Sequence, residues 1–89
     1  MSTVLLDIRA PLRREDLPGL FARTCTMLAE HQPQRILCDV TGIEPDAVSM
    51  DALARLQLAA RRNGCRVDFQ GASPRLQSLI ELSGLAGVL

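Results

Sequence analysis

Three short strand-like runs, each followed by a stretch with helical spacing, constrain this chain more than any other feature. Thr3 to Ile8 is apolar and β-branched in places, and reads as a strand. Ile36 to Val40 is a continuous apolar run broken only by Asp39. Such runs fit a strand covered on both faces of a parallel sheet. Arg66 to Gln70 alternates, with Val67 and Phe69 on one face and Arg66, Asp68 and Gln70 on the other. That pattern predicts a half-buried strand.

The intervening segments read as helices. After a connection containing Pro11, Asp16 offers an N-cap and Pro18 is tolerated in the first turn. Leu17, Leu20, Phe21, Met27 and Leu28, with Thr24 between, form one amphipathic stripe, and His31-Gln32-Pro33 ends it. After the loop Thr41 to Pro45, a second helix runs from about Ser49 to Asn63 and stops at Gly64. Arg61 and Arg62 sit in its last turn, where positive charge suits the helix dipole. Ser73 caps a third helix with Pro74 at its first position, and Leu76, Leu79, Ile80 and Ser83 make its stripe up to Gly84. Leu85 to Leu89 reads as a last short strand or a docked tail. The order β-α-β-α-β-α predicts one α/β domain over residues 1–89. Its sheet should be mainly parallel, of three to four strands, with three helices in right-handed crossovers.

Composition narrows the function. With 89 residues a single modest core is expected, and with only two aromatic residues it must be built from Leu, Ile, Val and Ala. The formal net charge is zero, so no basic excess drives binding to nucleic acid. All ten basic residues are Arg, which removes chemistry that needs a lysine, such as a Schiff base or a Walker A loop. Cys25, Cys38 and Cys65 are widely spaced, form no C-x-x-C pair and share the chain with one His, so no metal site is expected. They read as small hydrophobes in a reducing cytosol. The N-terminus lacks the pattern of a secretion signal, and no apolar run approaches the ~20 residues that span a bilayer. A cytoplasmic protein without membrane insertion is the expectation.

Few residues suit catalysis. No glycine-rich turn follows the first strand, so no dinucleotide cofactor is expected. The only histidine, His31, lies at a helix end beside a proline. Asp39, Asp46 and Asp51 are the carboxylates near the second strand and helix, but Asp46 and Asp51 are five apart around a helix start and do not face each other well. Favourable charge near a helix N-terminus accounts for them without acid–base chemistry.

The junction from the second strand into the second helix is where charge, a hydroxyl and a helix dipole meet. Ser49 is the nearest hydroxyl and reads as the N-cap, or alternatively as a phosphorylation site at a helix N-terminus. On the helix, Leu53, Leu56 and Ala60, flanked by Ala52 and Ala59, should pack on the sheet. At ~100° per residue, Leu58 falls roughly 140° from Leu53, beside Asp51, Ala54, Arg55 and Arg62. An apolar side chain there is either a lone exposed leucine or a contact anchor ringed by arginines.

Taken in order, four pieces resemble a STAS domain, the fold of bacterial anti-sigma factor antagonists. They are Ile36-Leu37-Cys38-Asp39-Val40-Thr41-Gly42, then Asp46 to Leu53, then Ala59-Ala60-Arg61-Arg62-Asn63-Gly64-Cys65-Arg66-Val67, then Gly71-Ala72-Ser73-Pro74-Arg75-Leu76 with Leu82-Ser83-Gly84-Leu85. The family's sheet usually starts with an extra strand, so this chain resembles a short variant, and a second subunit in a homodimer, or the tail, would cover the sheet edge left exposed. The resemblance implies a non-catalytic regulator of transcription whose protein partner is an anti-sigma factor that is also a kinase. It implies docking through the second helix and its preceding loop, here Asp46, Ser49, Met50, Asp51, Ala54, Arg55 and Leu58. In the family's loop, Asp-Ser-Ser-Gly-Leu, the first serine accepts phosphate. Aligned on the helix, Asp46 matches the aspartate, Ala47 and Val48 the serines and Ser49 the glycine. Aligned on the strand, Val48 takes the acceptor slot. No hydroxyl occupies that slot in either register. STAS-like proteins also occur as subunits of lipid-transport ATPase complexes, which gives a second partner, an ATPase. A small-ligand or nucleotide sensor is the alternative of another class.

Overall fold

The computed structural model describes residues 2–84. Three parallel strands alternate with three helices: β1 (Thr3–Asp7), α1 (Leu17–His31), β2 (Arg35–Asp39), α2 (Ala47–Arg62), β3 (Arg66–Gln70) and α3 (Pro74–Leu82). The protein is an α/β domain with the expected β-α-β-α-β-α order. The strands lie side by side in chain order, β1-β2-β3, and pair in register: Leu5 with Leu37 and Leu37 with Asp68. The suggested strand or tail over Leu85 to Leu89 lies outside the described residues.

Register and pleat sort the strand residues into two faces, because successive side chains point to opposite sides. Leu6, Ile36, Cys38 and Val67 turn inward and are buried, as are Ile8 and Val40 just past the strands. They meet Leu17, Leu20 and Leu28 of α1, Ala52, Leu53, Leu56 and Ala60 of α2, and Leu76 and Ile80 of α3 in one core. Phe21 and Met27 pack at its margin. Thr24 sits inside the stripe of α1 because its hydroxyl donates to the Leu20 carbonyl at 2.9 Å, so no polar atom is stranded there.

The other face of the sheet is covered by no described element. Thr3, Leu5, Asp7, Arg35, Asp39, Arg66 and Gln70 are exposed there, and Leu37 and Asp68 are half-buried. This corrects the expectation that the Ile36–Val40 run is covered on both faces. The apolar run misled because Leu37 is apolar yet points away from the helices. The half-buried reading of β3 holds: Val67 is buried, and Arg66 and Gln70 are exposed. The domain measures 31 × 30 × 18 Å, the thin dimension being one sheet plus one helix layer.

Helix starts differ from the expected caps. Residues Arg14–Asp16 form a short 3₁₀ turn ahead of α1. The Asp16 carboxylate accepts from the Arg13 backbone N–H at 3.0 Å, closing that turn instead of capping α1. The far end of α1 stops where Gln32 takes a left-handed conformation (φ 44°) before Pro33, and its N–H donates to the Leu28 carbonyl. Ser73 caps α3 as expected, accepting from the Leu76 N–H at 3.2 Å. Cys38 and Cys65 are buried, but Cys25 is exposed on α1, against the expectation that all three are core residues.

Leu53 is fully buried where α2 meets the sheet, and Leu5 is 76% exposed on the open face. Urea denaturation should find that Leu53→Ala loses about 2–5 kcal/mol. Leu5→Ala, in the same dilute solution, should stay within about 0.5 kcal/mol of the parent chain.

Candidate functional site

The candidate site is the exposed side of α2 with the loop that leads into it. The chain leaves β2 through a turn held by Asp39, whose Oδ1 accepts from the Thr41 hydroxyl (2.6 Å) and the Thr41 backbone N–H (3.0 Å). Those two bonds hold the Asp39 carboxyl below the usual carboxylate range, the hydroxyl contributing most. Gly71, just past β3, closes over this turn with φ +79°. A Cβ there would collide with Thr41 Oγ1 and come within 3.1 Å of Asp39 Oδ1, so only glycine fits.

The helix itself begins earlier than its sequence suggests. α2 starts at Ala47, and Asp46 is its N-cap: the carboxylate accepts from the Ser49 N–H at 2.8 Å. The backbone N–H of Ser49, then its hydroxyl, draw the Asp46 carboxyl below its ordinary range. Ser49 is therefore not the cap. It lies in the first turn of α2 and is 1% exposed. That burial corrects two expectations at once. Ser49 is neither a reachable phosphate acceptor nor a side chain that a partner can touch. The competing cap, an aspartate three residues upstream with its own free carboxylate, is what the hydrophobic pattern alone did not weigh.

The remaining candidates lie along one side of α2. Ala54, Arg55 and Leu58 are exposed, and Met50 and Asp51 are half-buried. Met50, Ala54 and Leu58 are spaced by four, which places them in one line along the helix. Met50 leans on the margin of the core, while Leu58 is 49% exposed. Asp51 and Arg55 run beside that line as an i,i+4 ion pair, Oδ1 to Nε 3.1 Å. The Arg55 guanidinium also lies over the Phe21 ring, 5.7 Å from its centre, which ties the polar edge of α2 to α1. The opposite side of α2 is wholly buried: Ala52, Leu53, Leu56 and Ala60, with Gln57 at the edge of the core.

Asp46 and Asp51 do not converge, and each has a structural partner of its own. The carboxylate that does gain a neighbour is Asp39, which stands beside Asp7 in the register of β1 and β2. The signal was present in the sequence, since both aspartates close their strands, but parallel register had to be known to use it. Among the described residues no three His, Cys, Asp or Glu side chains are placed to hold a metal ion. Burial, then the nearby Asp39 and Asp7, push the Cys38 thiol up to about 12, and burial raises that of Cys65. An open groove of about 440 Å³ lies between the loop after β1 and α1, with Arg9 and Arg23 at its rim and Ile8 and Leu20 as its floor. No described helix is long and apolar enough to cross a membrane.

No protein-family model matches the chain, and neither a curated protein nor a solved structure matches it.

Asp46 sets the start of α2, so Asp46→Ala should lower stability by about 1 kcal/mol near neutral pH. The sign with pH follows from the depressed folded value. The carboxylate's stabilising share is complete above the unfolded value near 3.9 and is lost as pH falls through the folded one. Thermal melts should show a constant gap between parent and variant down to about pH 4, narrowing in stronger acid.

Proposed function

We propose that the chain is a non-catalytic STAS-type regulatory module that docks a partner protein through the exposed line of α2 and the loop before it. The observation that carries this reading is Leu58, half-exposed at the end of the Met50–Ala54–Leu58 line on a helix whose other side is sealed in the core. Beside it stand Arg55 and Arg62, with Asp51. An apolar anchor with arginine around it is the composition of protein interfaces. Asp46 is exposed at the helix start and extends the surface into the loop.

The partner class comes from the resemblance of the second strand, loop and second helix to anti-sigma factor antagonists. In that family this helix meets an anti-sigma factor that is also a kinase. Here the acceptor slot holds Ala47 or Val48, and the hydroxyl nearest to it, Ser49, is buried. The family's acceptor slot therefore offers phosphate no hydroxyl, and the docking face stays available without that switch. The mechanism is competitive occupancy: the module holds the regulator so that the regulator cannot hold its own target. Control would lie in how much of the module is made. Subunits of lipid-transport ATPase complexes use the same type of module, and there the occupied partner would be the ATPase.

The test is direct binding of the purified chain to anti-sigma factor kinase domains and to transport ATPase subunits, measured by calorimetry. One of the two classes should bind, and Leu58→Glu should weaken that binding by about 30-fold or more while the circular dichroism spectrum is unchanged. With the kinase partner and ATP present, mass spectrometry should find no added phosphate. Equal binding by Leu58→Glu, or no binding to either class, would remove the proposal.

A further inference from the structure

The open face of the sheet carries a graded pattern set by the strand register. Where the strands begin, Thr3, Arg35 and Arg66 form a row; in the middle stand Leu5, Leu37 and Asp68; where the strands finish stand Asp7, Asp39 and Gln70. Charge is unbalanced at both ends, in opposite senses. Arg35 and Arg66 share one carboxylate, Asp68. Asp7 and Asp39 lie side by side, and neither has an ion pair among the described residues. Adjacent like charges on neighbouring strands are destabilising unless a cation answers them. Between the two ends Leu5 is 76% exposed. Parallel sheets are almost always covered on both faces, and none of the described residues covers this one.

We propose that the cover is the same face of a second copy, paired about a two-fold axis that runs across the strands. That axis turns the two sets of strands antiparallel and lays each strand over its own counterpart. On β2, Arg35 then faces Asp39 of the second copy, Leu37 faces Leu37, and Asp39 faces Arg35. The two Thr41 bonds to Asp39 both use Oδ1. On β1, Leu5 faces Leu5, and the Thr3 hydroxyl faces Asp7. On β3, Arg66 faces Gln70, and the two Asp68 carboxylates approach each other already bridged to their own arginines. A two-fold axis along the strands would instead set arginine against arginine. The order Arg35-Leu37-Asp39 on the central strand is thus self-complementary about the first axis and not about the second, which favours a second copy over an unrelated partner.

Three strands of five residues cover roughly 14 by 17 Å, well below the ~800 Å² per partner of a lasting complex. The pairing is accordingly a weak monomer–dimer equilibrium, and its charge pairs make it sensitive to salt. This surface is separate from the α2 docking line and does not depend on it.

Sedimentation velocity of the full chain, from low-micromolar to millimolar concentration, tests the proposal. The parent should dimerise at the upper end, several-fold more weakly at ~0.5 M than at ~0.05 M salt. Leu5→Glu, which sets carboxylate against carboxylate at the centre, should weaken dimerisation at least about tenfold with an unchanged Tm for the dilute monomer. Leu58→Glu should dimerise like the parent. A parent monomeric throughout, or dimerisation lost with Leu58→Glu instead, overturns the proposal. So does a Tm of dilute Leu5→Glu several degrees lower, which would mean that the chain itself covers this face.

Discussion

Everything in this domain depends on one-sided burial of a three-stranded parallel sheet. With only five residues per strand, each strand offers two inward side chains, and these must meet three helices to make a core at all. Ile36 and Cys38 of the central strand, Val40 just past it and Leu53 of α2 are almost wholly buried for this reason. The same restriction fixes what is left over. A sheet this small cannot be wrapped on both faces by three helices that all serve one core, so one face and one helix side remain outside.

The order of elements was legible in the sequence because each period was clean. Val67 and Phe69 alternate with Arg66, Asp68 and Gln70, and Leu53, Leu56 and Ala60 recur at helical spacing. The inward side of α2 and the exposure of Leu58 followed from the same arithmetic. What the pattern could not supply was competition between neighbouring polar groups. Ser49 is a good cap by residue type, but Asp46 reaches its N–H first and starts the helix at Ala47. Asp16 likewise looks like a cap and instead closes a turn with Arg13. Nor does composition report side. Leu5 and Leu37 are as apolar as Leu6 and Ile36, yet they point outward, and only pleat and register separate them.

The electrostatics of the chain are local, because its cations are all arginine and its net charge is zero. Arginine's planar fork favours short-range partners that it can hold in a fixed geometry. Arg55 takes Asp51 on its own helix and the face of Phe21 on α1. Arg35 and Arg66 converge on Asp68 from two strands. These exposed pairs add little stability individually. Their effect is to fix where charge stands around the apolar surface, which is what an interface reads.

At the strand-to-helix junction the polar side chains are tied to structural partners. Asp39 is committed to the Thr41 turn, Asp46 to the first turn of α2, and Asp51 to Arg55. Ser49 is enclosed, and the Cys38 thiol is pushed far above neutrality. Asp39 and Asp46 thus hold the backbone at the two ends of the loop, so it presents α2 in a set position. A rigidly presented helix loses little entropy when a partner binds it, and preorganisation of that kind is where small interfaces gain affinity. With those polar groups fixed and the inner side of α2 sealed, the apolar line ending at Leu58 is the part of this junction that the proposed docking uses.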